Sequence, residues 1–383
     1  MKKIVILGCT GSIGDTAFKV LEALGDEYQV VGLSGGRQLR KLVERARAWK
    51  PRWVCASSAA DAEAVARQLS GVKTLSGEGG LAELAALPEA DVVLNALVGA
   101  VGLRPTLAAV EAGKVVGMAN KEPIVMAGGL ILERAAVCGA AILPLDSEPN
   151  ALWQCLKGEE RGAIKKLILT ASGGPFRGQT LGQMQQVTPE QALRHPTWRM
   201  GPKITVDCAT LMNKGFEVLE ASWLFGVGIE QVEVVVHPES VIHSLVELAD
   251  GALLAHLGRT DMMLPIQYAL THPRRLPSPL ESVDLVRLGK LNFAAPDREN
   301  FPCLELCYQA GRMGGTAPAA LNAADEVAVE RFLRGEIGFL DIARINQRAL
   351  EAHRPGPADS LDTVLEEDRR VRCLAREWIA KNR

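Results

Sequence analysis

Short, wholly apolar runs alternate with amphipathic stretches over the first 145 residues. Residues 3–7, 29–33, 53–56, 92–96, 115–118 and 142–145 read as strands; residues 15–24, 60–69 and 105–112 carry apolar positions at helical spacing. Strands without a polar face, each followed by a helix, predict a doubly wound parallel sheet covered on both sides. The rhythm then changes. Residues 164–171, 203–208, 232–237, 241–248 and 252–257 predict further strands, the last two joined at Asp250-Gly251, a strong hairpin signal. Their alternation predicts an antiparallel sheet with one open face, suited to a twofold partner. Residues 210–225 predict a helix. Five prolines between Thr271 and Pro302 predict an extended linker, and periodicity over 317–333, 340–352 and 360–381 predicts a closing helical bundle. The expected fold class is therefore α/β: an N-terminal Rossmann-like doubly wound sheet (1–146), a central α+β domain (147–272), a linker (273–303) and a C-terminal helical bundle (304–383).

Composition narrows the partners. At 383 residues the chain can bury a sizeable core, and a net charge of −2 leaves no face-wide basic excess to neutralise phosphates. No nucleic acid and no membrane surface is expected as a partner, and no apolar run reaches the ~18 residues of a span. The eight cysteines form no CxxC pair, so they read as reduced thiols. The first residues enter a strand without a hydrophobic leader. A cytoplasmic location is the expectation.

Three features suggest chemistry. Gly8-Cys-Thr-Gly11-Ser-Ile-Gly14 lies between the first strand and its helix, where glycines let a dinucleotide pyrophosphate approach the backbone and the helix N-terminus favours its charge. The second strand ends in Ser34-Gly-Gly-Arg37-Gln38, with no acid for a ribose 2′-hydroxyl. Arg37, backed by Arg40 and Lys41, favours the 2′-phosphate of NADP. Polar clusters at Asn95–Gly99 and Met118–Pro123, Lys121 included, should line the same crevice.

The second feature is Asp146-Ser147-Glu148, at the end of an apolar run. Read as a strand end, period-2 geometry sends both carboxylates to one side, a hard-oxygen pair suited to Mg2+ or Mn2+. Read as a helix start, the same residues are a cap and a first-turn acid. The third lies between Ser172 and Lys203: a Gly-Gly-Pro turn able to cradle a phosphate, then a polar, proline-interrupted stretch carrying His195 and Trp198, which reads as a lid. The helix after it puts Asn213, Lys214 and Glu217 on one face. That face is either a solvated salt bridge or a third metal carboxylate with two phosphate donors. A semialdehyde or hydroxy-acid dehydrogenase would share the two-domain plan without needing three carboxylates.

Taken together, Gly8-x-Thr-Gly-Ser-Ile-Gly14, Ala119-Asn-Lys-Glu122, Leu145-Asp-Ser-Glu148, Ala171-Ser-Gly-Gly-Pro-Phe176, His195-Pro-x-Trp198, Met212-Asn-Lys-Gly-Phe-Glu217, His237-Pro-x-Ser-Val-Ile-His-Ser244, Phe301-Pro and Leu321-Asn-Ala-Ala-x-Glu326 resemble the 1-deoxy-D-xylulose 5-phosphate reductoisomerase family over essentially the whole chain. The resemblance implies a homodimer that uses NADPH and Mg2+ or Mn2+, with Co2+ as a further candidate, to make 2-C-methyl-D-erythritol 4-phosphate from a small phosphorylated sugar. By position it implies Asp146, Glu148 and Glu217 as metal ligands. Lys121, Ser147, Glu148, His195 and Trp198 would be catalytic; Ser172, Cys208, Asn213, Lys214, Glu217 and Met262 would contact substrate. Gly8, Thr10, Gly11, Ser12, Ile13, Gly36, Arg37, Gln38, Asn120, Glu122 and Gly201 would contact the cofactor. It makes 1–146 the NADPH-binding domain and 147–272 the catalytic and dimerisation domain, with a lid over 172–203. Four positions depart from the family pattern: Pro149 for histidine, Cys208 for a phosphate-binding serine, Arg37-Gln38 for lysine and asparagine, and Pro123 for serine.

Overall fold

Seven strands build the sheet that the apolar runs predict: β1 (Lys2–Leu7), β2 (Tyr28–Ser34), β3 (Trp53–Ala56), β4 (Lys73–Ser76), β5 (Val92–Asn95), β6 (Val115–Met118) and β7 (Ala141–Pro144). All pairs are parallel, in the order β4-β3-β2-β1-β5-β6-β7. Ile4, Val5, Ile6 and Leu7 are all fully buried, as a central parallel strand requires. The order reverses at β1, which pairs β2 on one side and β5 on the other. Register carries the strand ends together: Leu7 pairs Asn95, Asn95 pairs Met118, and Met118 pairs Pro144. The loops that follow therefore share one edge, the edge where such sheets bind ligands.

The computed structural model describes residues 1–381 and forms two compact units. The first comprises residues 1–123, 130–150 and 261–280; the second comprises 124–129, 151–260 and 281 onward. In the first, Tyr28 donates its hydroxyl to the Leu270 carbonyl, tying helix Met263–Thr271 to β2. Strand β4 and helix Gly77–Ala85 escape the sequence pattern. The strand is a partly exposed edge of four residues, and the helix opens on Gly-Glu-Gly-Gly, which carries no periodic signal.

In the second unit β8 (Ile164–Ala171), β9 (Val232–Val236), β10 (Ile242–Leu248) and β11 (Leu253–Leu257) lie in the order β11-β10-β8-β9. The sheet is mixed, not antiparallel as expected: β10 runs antiparallel to β8 and β11, but β8 and β9 are parallel. A parallel pair needs a long crossover. Residues between them supply it as helices Pro202–Thr210 and Met212–Phe225, which overturns the strand expected at 203–208. The β-branched run Ile204-Thr205-Val206 mimics a strand. Helix-forming contacts prevail: Pro202 sits in the first turn, Thr205 donates its hydroxyl to the Gly201 carbonyl at 2.8 Å, and Lys203 pairs with Asp207 one turn on at 2.5 Å.

The stretch expected as a lid is folded over part of its length. Leu181–Met184 and Pro189–Ala192 are single turns, each closed by a capping box, and Met184 and Ala192 are fully buried in the unit's core. No regular structure spans 193–201. Helices Ala317–Leu333, Phe339–Glu351 and Leu361–Lys381 appear where periodicity places them. The first is buried on nearly every side, and Phe332 and Phe339 meet edge to face at 5.7 Å within one core with Val371 and Trp378.

Candidate active site

In the first unit the glycine-rich turn leaves β1 through a residue in the left-handed region. Gly8 has φ +78°, and a Cβ there would stand 2.5 Å from the Ala96 carbonyl oxygen. No L side chain fits. Gly11 and Ser12 are exposed, Ile13 half-buried, and the helix Ser12–Leu24 begins at once, so its first N–H groups face open space at the sheet edge. Thr10 is buried, and its carbonyl accepts from Lys41 Nζ at 2.9 Å and Gln38 Nε2 at 3.4 Å. Lys41 also pairs with Asp15, and Arg40 pairs with Glu44. These two cations are therefore already engaged. Arg37, exposed beside Gly36 and Gln38 and in no ion pair among the described residues, is the one left for an anion.

Asn95 is 1 % exposed and turned inward. Its amide donates to Gly102 O and Thr106 Oγ1, so it shapes the loop after β5 rather than lining an open crevice. Asn120 stays half-exposed at the end of β6, and Glu122 is buried in the first turn of helix Glu122–Cys138.

Adjacent strands explain the next contact. Lys121 lies three residues past Met118 and Asp146 two past Pro144, and those residues are partners across β6 and β7. Lys121 and Asp146, both largely buried, form a close ion pair. The two acids do not leave a strand side by side, as period 2 would have it: β7 stops at Pro144 and a helix, Ser147–Cys155, starts immediately. Asp146 holds the capping position, accepting from the Ser147 N–H at 3.0 Å while its carbonyl accepts from Asn150 N, and Glu148 lies in the first turn, where Ser147 Oγ donates to it at 2.5 Å. Pro149 is buried in the same turn, where its missing N–H costs no helix bond. Asn150, missed by sequence reasoning, donates to Pro144 O and Pro265 O and fixes this corner; an amide buried in a first turn was the available signal. Met262 is half-buried, one residue before helix Met263–Thr271.

In the second unit, Asn213, Lys214 and Glu217 share one face of helix Met212–Phe225, and that face is not solvated: Glu217 is fully buried. Asn213 Nδ2 donates to Glu217 Oε1 at 2.6 Å and Lys214 pairs with Oε2, so both oxygens are matched from one helix. At the end of β8, Gly174 takes φ +69° and a Cβ there would lie 2.7 Å from the Cys208 carbonyl oxygen, which packs this turn onto helix Pro202–Thr210. Cys208 itself is half-buried, and Gly201 caps the same helix.

Ser172 Oγ lies 3.0 Å from His195 Nε2 and accepts from Gly174 N–H at 3.2 Å. His195 Nδ1 accepts from the N–H groups of Thr197 and Trp198, at 3.2 and 2.9 Å. Two donors at Nδ1 put the ring proton on Nε2, which then donates to Ser172. Burial, aided by the Lys214 charge, pulls the His195 pKa down to about 4, so the ring is neutral at pH 7. Ser172 thus receives two hydrogen bonds and keeps its own O–H to give. The Trp198 ring lies 6.2 Å from that of His243, which burial also holds at a pKa of about 4. Sequence reasoning missed Lys203, which joins Asp207 and Asp325, with Asn346 donating to Asp325 at 3.0 Å. The four-residue spacing of Lys203 and Asp207 was its only local sign.

A parallel sheet reversing at β1, with a glycine turn at that point, defines a dinucleotide-binding α/β enzyme. Three family models match: 1-deoxy-D-xylulose 5-phosphate reductoisomerase over residues 4–128, its C-terminal domain over 142–225, and the DXP reductoisomerase C-terminal domain over 257–374. The chain belongs to the 1-deoxy-D-xylulose 5-phosphate reductoisomerase family. The curated reductoisomerase of Anaeromyxobacter dehalogenans is 51% identical over 366 residues, covering 95% of this chain and 94% of its own; that of Heliobacterium modesticaldum is 47% identical, covering 100% and 99%. A crystal structure of DOX-P reductoisomerase in complex with NADPH, fosmidomycin and magnesium superposes with a TM-score of 0.96 at 40% identity, covering 99% of this chain and 98% of that one. The Zymomonas mobilis enzyme in complex with NADPH gives 0.92 at 40%, covering 99% of each.

Proposed function

We propose that the chain converts 1-deoxy-D-xylulose 5-phosphate to 2-C-methyl-D-erythritol 4-phosphate, using NADPH and a divalent metal, in the non-mevalonate supply of isoprenoid precursors. The observation that carries the reading is the pairing of buried carboxylates with lysines: Asp146 with Lys121, and Glu217 with Lys214. Buried acids persist as anions only against a cation. Asp146, Glu148 and Glu217 each offer a carboxylate oxygen, and a donor set without sulfur or imidazole fits Mg2+ or Mn2+ rather than zinc. These three would hold the ion. When bound, the metal supplies Lewis-acid polarisation of the substrate's ketone and hydroxyl oxygens, and the nicotinamide supplies hydride for the aldehyde that rearrangement produces.

The chain's own residues do the rest. Ser172 donates its free O–H to the substrate phosphate, with Asn213 and Lys214 as further donors. His195, held as the Nε2–H tautomer, keeps Ser172 aimed, and with Trp198 covers the substrate as the segment 193–201 closes. Met262 gives an apolar contact to the sugar's carbon chain. Lys121 and Ser147 orient oxygens of the sugar beside Asp146 and Glu148. Cys208 is a weaker phosphate donor than a serine. The glycine turn and Ser12 N–H groups take the pyrophosphate, Arg37 the 2′-phosphate, with Gly36, Gln38, Asn120, Glu122 and Gly201 completing the nucleotide contacts.

The reading includes a homodimer. Strand β11, five residues at the end of its sheet, exposes Leu253 at 58 %, Ala255, and Leu257 at 37 % on one face, an apolar row that a second copy would cover. It also includes a cytoplasmic location; no helix among the described residues is long and apolar enough to cross a membrane. Residues 147–272 are proposed as the catalytic and dimerisation part, 273–303 as the linker and 304–383 as the helical domain. The test is NADPH oxidation with 1-deoxy-D-xylulose 5-phosphate. Turnover should require both the sugar phosphate and Mg2+ or Mn2+ and stop on chelation; oxidation unaffected by a chelator would point to an ordinary dehydrogenase.

A further inference from the structure

A pocket of about 630 Å³ opens at the edge of the parallel sheet opposite the nucleotide turns, where β1 and β2 begin and the helix Leu39–Trp49 ends. That volume lies within the usual range of small-molecule sites, about 300–1,000 Å³. Among its lining residues Val31, Pro51 and Leu69 are buried, and Lys3, Arg47, Lys50 and Arg52 are exposed. Of the lining residues only Glu89 is acidic, and it is engaged by Arg52 at 3.5 Å and by Trp53 Nε1 at 3.1 Å; Asp91, outside the lining, accepts from the Lys3 backbone N–H at 2.7 Å. The side chains of Lys3, Arg47 and Lys50 are exposed and form no ion pair among the described residues.

Lys3, Arg47 and Lys50 thus give this concavity a local positive excess in a chain of net charge −2. The asymmetry along a single helix sharpens this. Toward its start, Arg40 pairs with Glu44, and Lys41 and Arg45 both pair with Asp15; Arg47 and the following Lys50 pair with nothing. A helix carboxyl end attracts cations, which accounts for those two. It does not account for Lys3, which arrives from β1, nor for the concavity.

The geometry points to a second ligand site here, for a small aliphatic diphosphate ester. A diphosphate brings about three negative charges near neutral pH and can meet several rim cations at once. No aromatic side chain lines the pocket, so nothing would stack a nucleobase, whereas Val31, Leu69 and Pro51 suit a short saturated chain. The site shares its elements with the nucleotide site: β1 runs from Lys3 to the glycine turn, β2 from Gln29 to the loop bearing Arg37, and the same helix starts beside Gln38.

The experiment titrates n-butyl diphosphate calorimetrically into enzyme saturated with NADPH, magnesium and a phosphonate substrate mimic, which leaves the catalytic phosphate and pyrophosphate sites filled. Inorganic pyrophosphate and ADP are parallel arms. The comparison protein is the Arg47→Glu, Lys50→Gly variant; Lys50 has φ 48°, so glycine there relaxes the backbone. The expected result is one n-butyl diphosphate per chain, bound more tightly than pyrophosphate or ADP and at least about ten-fold more weakly by the variant. The variant's unchanged melting temperature and kcat would show that its fold is intact. No saturable binding, binding equal in the variant, or preference for ADP or for bare pyrophosphate would each overturn the assignment. A single Lys3→Glu variant repeats the test from the opposite wall, and an unchanged affinity there would count equally against it.

Discussion

Glu217→Gln keeps the shape of the side chain and removes its charge. In the folded protein Glu217 is fully buried, accepts from Asn213 Nδ2 at 2.6 Å and faces the Lys214 ammonium, itself 4 % exposed. Glutamine presents one acceptor and one donor in place of two acceptors. Asn213 can flip its amide and keep a hydrogen bond, while the Lys214–Glu217 ion pair is reduced to a charge–dipole contact. Breaking a buried pair from one side costs about 3–5 kcal/mol, and the retained amide bond places this case near the lower end, about 3 kcal/mol. The double variant Glu217→Gln, Lys214→Met removes both members of the pair, so it should be destabilised by less than the sum of the two single variants, by about 1–2 kcal/mol. Activity separates the two roles of the acid. Both variants should lose metal-dependent turnover, while NADPH affinity stays within about two-fold, because the glycine turn and Arg37 belong to other segments. Denaturant unfolding, NADPH fluorescence titration and steady-state rates make the comparison. A single variant as stable as the parent would refute the buried-pair argument, and an active one would reduce this helix to scaffolding.

Other expectations follow from the same geometry. NADPH should outperform NADH, and Arg37→Asp should erase most of the difference; equal efficiency with both cofactors in the parent would remove the role of Arg37. Pro149→His, in the first turn beside Glu148, should lower KM roughly five-fold, the worth of one hydrogen bond of about 1 kcal/mol, and change kcat less; a rise in kcat alone would assign the missing imidazole to the chemical step. Stability should fall as pH drops from about 6.5 toward 4, because His195 and His243 are held neutral in the fold, at about 4, while their unfolded forms take up protons near 6.5. Partial exposure of His195 keeps its share below the full ~1.4 kcal/mol per pH unit. His243→Gln should flatten the slope in pH-dependent unfolding, and an unchanged slope would show that other groups set it. Protease should cut within 193–201 in the free enzyme, and less once metal and a phosphonate mimic are bound, whereas 181–192, anchored by Met184 and Ala192, should resist throughout; protection complete without ligand would contradict a closing segment.

Much of this was legible in the chain. Buried parallel strands advertise themselves as unbroken apolar runs, so β1, β2, β5 and β6 were plain, as was the helix Ala317–Leu333. What failed did so where local chemistry competes with pattern. Ile204-Thr205-Val206 has the composition of a strand, but Pro202 and the Lys203–Asp207 pair close a helix around it. The sequence marks Asp146 and Glu148 as a pair under two readings, and of these the structure rejects the strand end and keeps the helix start, a cap and a first-turn acid. The partners of the acids were only half visible. Lys214 and Asn213 stand at helical spacing from Glu217, whereas Lys121 reaches Asp146 through strand pairing, which spacing along the chain cannot reveal. The tautomer of His195 depends on two backbone N–H groups and no sequence pattern encodes it.

The most direct measurement is the identity and stoichiometry of the product. Enzyme, 1-deoxy-D-xylulose 5-phosphate, NADPH and magnesium are incubated, and the phosphorylated product is analysed by NMR. Rearrangement with reduction predicts the branched 2-C-methyl-D-erythritol 4-phosphate, formed one for one with NADPH oxidised. An unbranched 1-deoxypentitol phosphate would show a simple ketone reductase, and would contradict the assignment of the three carboxylates to a metal that serves the rearrangement.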